Sequence, residues 1–246
     1  MKRFGLIGFP LTHSFSKRYF AEKFAKENIV DAQYDNYEMH DARSLLQVIS
    51  EHPDLQGVNV TIPHKESVLS LLNEIDEAAQ RIGAVNVIRI RNGKLKGFNS
   101  DYYGFKNSLV SFLNGQKVKA LVLGTGGAAK AVVTALEDLS IEYSFVSRQS
   151  GGTHYSYDDL DEEIIRDHHL IINTTPLGMF PKTDACPDLP YEALTPNHFL
   201  YDLIYNPEET LFMKKGLEKE AKVKNGLEML VLQAEKAWEI WNDVKI

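Results

Sequence analysis

The stretch Val118–Ala131, VKALVLGTGGAAKA, constrains this chain more than any other. Val118, Ala120, Leu121, Val122 and Leu123 form a short apolar run of the kind buried in a parallel sheet. The run stops at Gly124-Thr125-Gly126-Gly127, and a helix-forming segment from Ala128 to Leu139 begins at once. Strand, glycine turn and helix are the parts of a dinucleotide-binding βαβ unit. Glycines let the backbone turn sharply and approach a pyrophosphate closely. The N–H groups and positive dipole end of the helix then face the phosphates. A plain α/β turn is the alternative. The strand before and the helix after favour nucleotide binding.

Elsewhere the chain alternates β and α. Arg3–Phe9 reads as a strand, Ser16–Glu27 as a helix with Phe20, Phe24 and Ile29 inward, Gln33–Met39 as a strand and Asp41–Glu51 as a helix. Gly57–Ile62 is a buried strand ended by Pro63. Lys65–Leu72 and Glu74–Ile82 read as helices, with Gly83 at the C′ position. Val85–Ile90 and Lys94–Phe98 flank Asn92-Gly93, a strong hairpin signal. This first part predicts a largely parallel sheet with one hairpin at an edge. Asp101–Leu113 is a helix leading into the nucleotide unit, whose further strands are Tyr143–Ser147, His169–Thr174 and His198–Ile204. Ser150–Ser156 reads as a loop, Pro207–Val223 as a helix, and Gly226–Val244 as a last helix with an apolar face.

Composition mainly excludes. In 246 residues there are 27 basic and 34 acidic side chains, a net charge of -7, which argues against a nucleic-acid surface. A local pocket can still be basic enough for an anionic small molecule. The single cysteine, Cys186, allows no internal disulfide. No apolar run approaches the ~20 residues of a membrane span, and the N-terminus has no signal-peptide pattern. A soluble, cytoplasmic protein without membrane partners is the expectation. The histidines show no metal-ligand spacing, so no metal is expected.

Several polar residues stand where chemistry is done. Asn59 and Thr61 share one face of an otherwise apolar strand, and Lys65 follows just past its C-terminal end, where open α/β sheets hold their ligands. Edge-strand polarity and a surface lysine would explain the same letters. Asn86 begins a strand. Asp101 opens a helix, as an N-cap or as the partner of Lys65 in proton transfer. An NAD site carries a carboxylate at the end of its second strand, but here that strand ends Ser147-Arg148. Arg148 is then either a solvated arginine or the partner of an NADP 2′-phosphate, and the missing acid favours NADP.

These segments, taken together, resemble the shikimate dehydrogenase family, NADP-dependent enzymes of aromatic amino-acid biosynthesis. The matching motifs run in family order: HSFS (residues 13–16), NVTIPHK (59–65), GAVN (83–86), GFNSDYYG (97–104), GTGGAAKA (124–131), NTTPLGM (173–179), DLIYNPEET (202–210) and NGLEMLVLQA (225–234). The resemblance implies an α/β fold of two domains. One is a mostly parallel substrate domain of residues 1–101 plus 226–246. The other is a Rossmann-type NADP domain of residues 102–225, with an active-site cleft between them. It implies that Lys65 and Asp101 are the catalytic pair. Ser14, Ser16, Asn59, Thr61, Asn86, Tyr205 and Gln233 match substrate-binding positions. Gly124, Thr125, Gly126, Gly127 and Ala128 match the pyrophosphate loop, Ser147 and Arg148 the 2′-phosphate pair, and Leu203 and Gly226 the nicotinamide end.

The implied reaction is reduction of 3-dehydroshikimate to shikimate, by a monomer or homodimer. The alternatives are a quinate/shikimate dehydrogenase with broader substrate or NAD use, and a non-catalytic NADP-binding homologue. Four departures stand out. Ser16-Lys17-Arg18-Tyr19-Phe20-Ala21 lacks the family's usual Ser-Pro-x-x-His-Asn, and Ser147, Ser100 and Gln149 replace its Asn, Thr and Thr or Ser.

Overall fold

The computed structural model describes residues 1–11, 15–148, 151 and 154–243. It divides into two compact units, Met1–Asp101 with Gln233–Ile246, and Tyr102–Leu232.

In the first unit the elements are β1 (Lys2–Gly8), α1 (Phe15–Lys26), β2 (Ala32–Glu38), α2 (Ser44–Glu51), β3 (Leu55–Val60), β4 (Glu74–Ile75), α3 (Glu77–Ile82), β5 (Val87–Arg91) and β6 (Lys94–Phe98). They build a six-stranded sheet in the order β2-β1-β3-β5-β6-β4. β1 pairs in parallel with β2 and β3, whereas β5 runs antiparallel to both β3 and β6. The hairpin is not the edge, because the short β4 lies beyond it, parallel to β6.

Two predicted helices are shorter than their pattern. Lys65–Leu72 reduces to a 3-10 turn at Ser67–Leu71, because the Lys65 carbonyl accepts the N–H of Val85 rather than that of a following helical turn. The helix predicted from Glu74 starts at Glu77, since the Asp76 carboxylate caps it through the Ala78 N–H.

The second unit continues from α4 (Ser100–Leu113), of which it holds Tyr102 onward, through β7 (Ala120–Leu123), α5 (Gly127–Asp138), β8 (Tyr143–Ser147), β9 (His154–Ser156), α6 (Glu162–Asp167), β10 (Leu170–Asn173), β11 (Phe199–Asp202), α7 (Leu211–Leu217) and β12 (Lys222–Lys224) to α8 (Leu227–Trp241), which returns to the first unit at Gln233. Its sheet is entirely parallel, in the order β12-β11-β10-β7-β8-β9. That is the doubly wound Rossmann order, with its switch point between β7 and β10. β7, β10 and β11 are buried at every residue, as strands covered on both faces require.

The predicted loop Ser150–Ser156 contains a strand. His154–Ser156 adds to the sheet beside β8, while residues 149, 150, 152 and 153 lie outside those described. The helix predicted over Pro207–Val223 forms only at Leu211–Leu217. The Thr210 hydroxyl caps its start, and Lys222–Lys224 is drawn into the sheet against β11.

The last helix buries Ala234, Ala237 and Trp241 at helical spacing, with Leu227 left exposed. Trp241 stacks on Phe4 at 4.9 Å and donates its indole N–H to the Ile88 carbonyl at 3.1 Å. Gly57 makes this possible, since a Cβ there would strike the indole ring. Among the described residues no helix is long and apolar enough to cross a membrane, and no cluster of three His, Cys, Asp or Glu side chains is placed to hold a metal.

Candidate active site

In the first unit Lys65 and Asp101, 36 residues apart, form an ion pair with Nζ 2.6 Å from Oδ2. Both ends of the pair are anchored. The Val85 N–H holds the Lys65 carbonyl at 2.8 Å. Asp101 lies in the first turn of α4, and its carboxylate turns to Lys65 rather than capping its helix. The Asn86 side chain takes over part of that capping task, its Oδ1 accepting the Ser100 N–H at 2.6 Å.

Asn86 also donates through Nδ2 to the Ser100 hydroxyl at 3.0 Å, and that hydroxyl donates to Gln233 Oε1 at 3.3 Å. Ser100 is completely buried, so the chain Asn86–Ser100–Gln233 is a desolvated polar network at the head of α4. Asn59 joins it from β3, its Nδ2 donating to the Asn86 carbonyl at 3.4 Å and its Oδ1 accepting the Tyr34 hydroxyl at 2.8 Å. Ser16, on α1, also hydrogen-bonds Tyr34, whose phenol pKa burial pushes far up. Thr61 follows the end of β3, where the missing side chain of Gly8 leaves room for its methyl group.

Six of the predicted residues of this unit are thus tied together by hydrogen bonds and one ion pair, in separate small groups: Lys65 with Asp101, and Ser16, Asn59, Asn86 and Gln233 through Tyr34 and Ser100. Ser14 lies outside the described residues.

In the second unit, Gly124, Thr125, Gly126, Ser147 and Arg148 line a cavity of about 510 Å³, together with Tyr157 and Thr174–Leu177. Gly124 has φ +99°, and a Cβ there would crowd Thr174 and Thr175, so only glycine suits the turn. Gly126 and Gly127 face open space, and no side chain caps the first turn of α5. An uncapped helix start beside open glycines, with an arginine lining the same cavity, fits a pyrophosphate and a further phosphate. Gly226 donates its N–H to the Ile204 carbonyl at 3.0 Å, and any side chain on it would collide with the Leu203 backbone. Tyr205 is half exposed in the same unit, beyond β11.

Sequence reasoning passed over Tyr157, which follows the Gly/Ser-rich segment and carries no motif. It also passed over the buried Asp202. Asp202 Oδ1 accepts from Asn173 Nδ2 at 3.1 Å and from the Ile204 N–H at 3.0 Å, and Oδ2 accepts the Thr210 hydroxyl at 2.7 Å. Asn173 in turn fixes Thr175 through its Oδ1. Burial raises the Asp202 pKa to about 6 against the lowering effect of these three donors. The network ties the turns after β10 and β11, at the carboxyl edge of the sheet where such folds bind nucleotides.

Comparison with known proteins identifies the family. The family model described as the shikimate dehydrogenase substrate binding domain matches residues 6–88. A shikimate dehydrogenase (NADP(+)) of Clostridium beijerinckii is 41% identical, over 100% of this chain and 94% of the relative. The solved chorismate mutase/shikimate 5-dehydrogenase fusion protein of Clostridium acetobutylicum superposes with a TM-score of 0.86 at 37% identity, covering 100% of this chain and 92% of the other. The shikimate 5-dehydrogenase of Thermus thermophilus, solved in complex with NADP(H) and shikimate, superposes with a TM-score of 0.85 at 32% identity, covering 99% and 94%. With this identity over its whole length and a Rossmann-ordered sheet behind the glycine turn, the chain belongs to the shikimate dehydrogenase family of oxidoreductases.

Proposed function

We propose that the protein interconverts 3-dehydroshikimate and shikimate with NADP, and that the first unit binds the substrate while the second binds the cofactor. The observation that carries this reading is the Lys65–Asp101 pair, a proton donor held at 2.6 Å by a carboxylate and accompanied in its unit by buried amides and hydroxyls. When bound, NADPH supplies a hydride to the substrate carbonyl. Lys65 Nζ, as the ammonium, donates the proton that the developing alkoxide needs and stabilises its charge. Asp101 orients the ammonium through the 2.6 Å ion pair. Asn59, Asn86, Thr61 and Gln233, with Ser14, Ser16 and Tyr205, hold the hydroxyls and carboxylate of the substrate. Gly124–Ala128 holds the pyrophosphate, Ser147 and Arg148 the 2′-phosphate, and Leu203 and Gly226 border the nicotinamide.

The test is initial-rate oxidation of shikimate and of quinate, each with NADP+ and NAD+, followed by cofactor absorbance. Fast turnover with shikimate and NADP+ alone is the expected result. Comparable turnover with quinate or NAD+ would move the protein to a broader dehydrogenase. Binding of NADPH without turnover of any pair would make it a non-catalytic homologue.

Arg148→Ala provides a separate check of the cofactor assignment. Arg148 is exposed, so solvent screens its pairing and the loss is placed at the lower end for charge-assisted contacts. KM for NADP+ is expected to rise about tenfold, with KM for NAD+ unchanged. An equal rise for both cofactors would contradict a 2′-phosphate contact.

A further inference from the structure

Asn59 is an amide, and an amide can present either a donor or an acceptor to a ligand. In this fold the choice is made by its neighbours. One end faces the backbone carbonyl of Asn86 at 3.4 Å, which only accepts, so that end is Nδ2. The other end, Oδ1, meets the Tyr34 hydroxyl at 2.8 Å, and Tyr34 must donate there. Tyr34 is 6% exposed and stacks on Phe20, ring centroids 4.6 Å apart, so its ring cannot swing away. With Tyr34 donating to Asn59, its oxygen accepts from Ser16. One phenol therefore joins α1 to β3 through two side chains expected to face the substrate.

We infer that Tyr34 is a positioning residue of the substrate site, which holds the Asn59 amide with its remaining N–H presented as a donor to a hydroxyl oxygen of the substrate. The inference rests on the substrate-site reading proposed above, and it adds a residue that need not touch the substrate. Removing the Tyr34 hydroxyl leaves the amide held only at its Nδ2 end, by the long 3.4 Å bond to the Asn86 carbonyl, so its remaining N–H is no longer firmly aimed. The cost falls on substrate binding, because Lys65 and Asp101 are held by other bonds.

The experiment compares Tyr34→Phe, Asn59→Ala and the double variant in steady-state shikimate oxidation, with thermal unfolding of each. Phenylalanine retains the stack on Phe20 and removes only the hydroxyl. Tyr34→Phe is expected to raise KM for shikimate about tenfold, the effect of one buried hydrogen bond. Its kcat and its KM for NADP+ should stay within about twofold of the parent. In the Asn59→Ala background the same change should add nothing, since the group it orients is gone. An unchanged KM in Tyr34→Phe, while Asn59→Ala raises it, would overturn the positioning role and leave the site reading intact. An unchanged KM in Asn59→Ala would remove the site reading itself. Additive effects in the double variant, or loss of the fold in Tyr34→Phe, would make the hydroxyl purely structural and equally overturn the proposal.

Discussion

Replacing Lys65 with alanine is expected to lower kcat for shikimate oxidation by about 10²–10⁴-fold, the range for loss of a positioned acid–base group. KM for shikimate should change little, because the proposed role of the ammonium is in proton transfer rather than in holding the ground state. The geometry supports that split. The Lys65 backbone is fixed by Val85, so truncating the side chain leaves the neighbouring strand in place. The amide and hydroxyl network around Asn86 and Ser100 contains no bond to Lys65 in the pairs described. Asp101→Asn should also lower kcat, by less, since the lysine remains and loses only its charged partner. Steady-state kinetics in both directions, beside an unfolding curve for each variant, provide the check. A large rise in KM with kcat intact would assign Lys65 to binding alone.

The second large effect concerns stability. Asp202 is fully buried at the end of β11, and burial lifts its pKa to about 6 from an ordinary value near 3.8. Between those values the folded protein holds a proton that the unfolded chain has released. The contribution of this group to stability is therefore complete below about pH 4 and is lost as pH rises through about 6, a change of about 3 kcal/mol at full size.

Asp202→Asn should remove the dependence at little structural cost. The amide oxygen can take the bonds from Asn173 and Ile204, and the new N–H₂ can donate to Thr210, whose hydroxyl then serves as acceptor. Measured by denaturant unfolding, the variant should gain on the parent progressively from about pH 4 to about pH 6 and run parallel to it above that. Curves parallel throughout would show that Asp202 does not retain its proton. The comparison has to be a difference, because His198 works in the other direction. Burial lowers its pKa, and a neutral ring is implied by the Thr195 N–H it accepts at 3.0 Å, so below its unfolded value it costs stability as pH falls. The substitution at Asp202 leaves that contribution untouched, so it cancels in the difference.

Asp202 also shows where sequence reading stops. It sits inside a recognisable motif, DLIYNPEET, yet its burial follows from a position on β11 between β10 and β12, and beside the local Ile204 N–H its donors come from 29 residues earlier and 8 later. Ser100 is a similar case. As a letter it is only a hydroxyl in place of threonine, whereas in the structure it links Asn86 to Gln233, 133 residues away. Tyr157 reaches the cavity lined by Gly124 and Arg148 because His154–Ser156 joins the sheet edge, and three residues of strand behind a glycine-rich segment leave too short a pattern to read. The short 3-10 turn at Ser67–Leu71 follows from a single long-range bond to Val85 that competes with local helix formation.

Features that are local or periodic were legible in the amino-acid letters. An apolar run followed by a glycine turn and a helix fixes a βαβ unit, Asn92-Gly93 fixes a hairpin, and the spacing of Ala234, Ala237 and Trp241 fixes the inward face of the last helix. These depend on steric limits and on residue periods, which act over a few positions. Which polar groups meet was settled only by the folded chain. Lys65 with Asp101, Tyr34 with Asn59 and Asp202 with Thr210 are pairings between separate elements, set by strand order and by the need of every buried donor and acceptor for a partner.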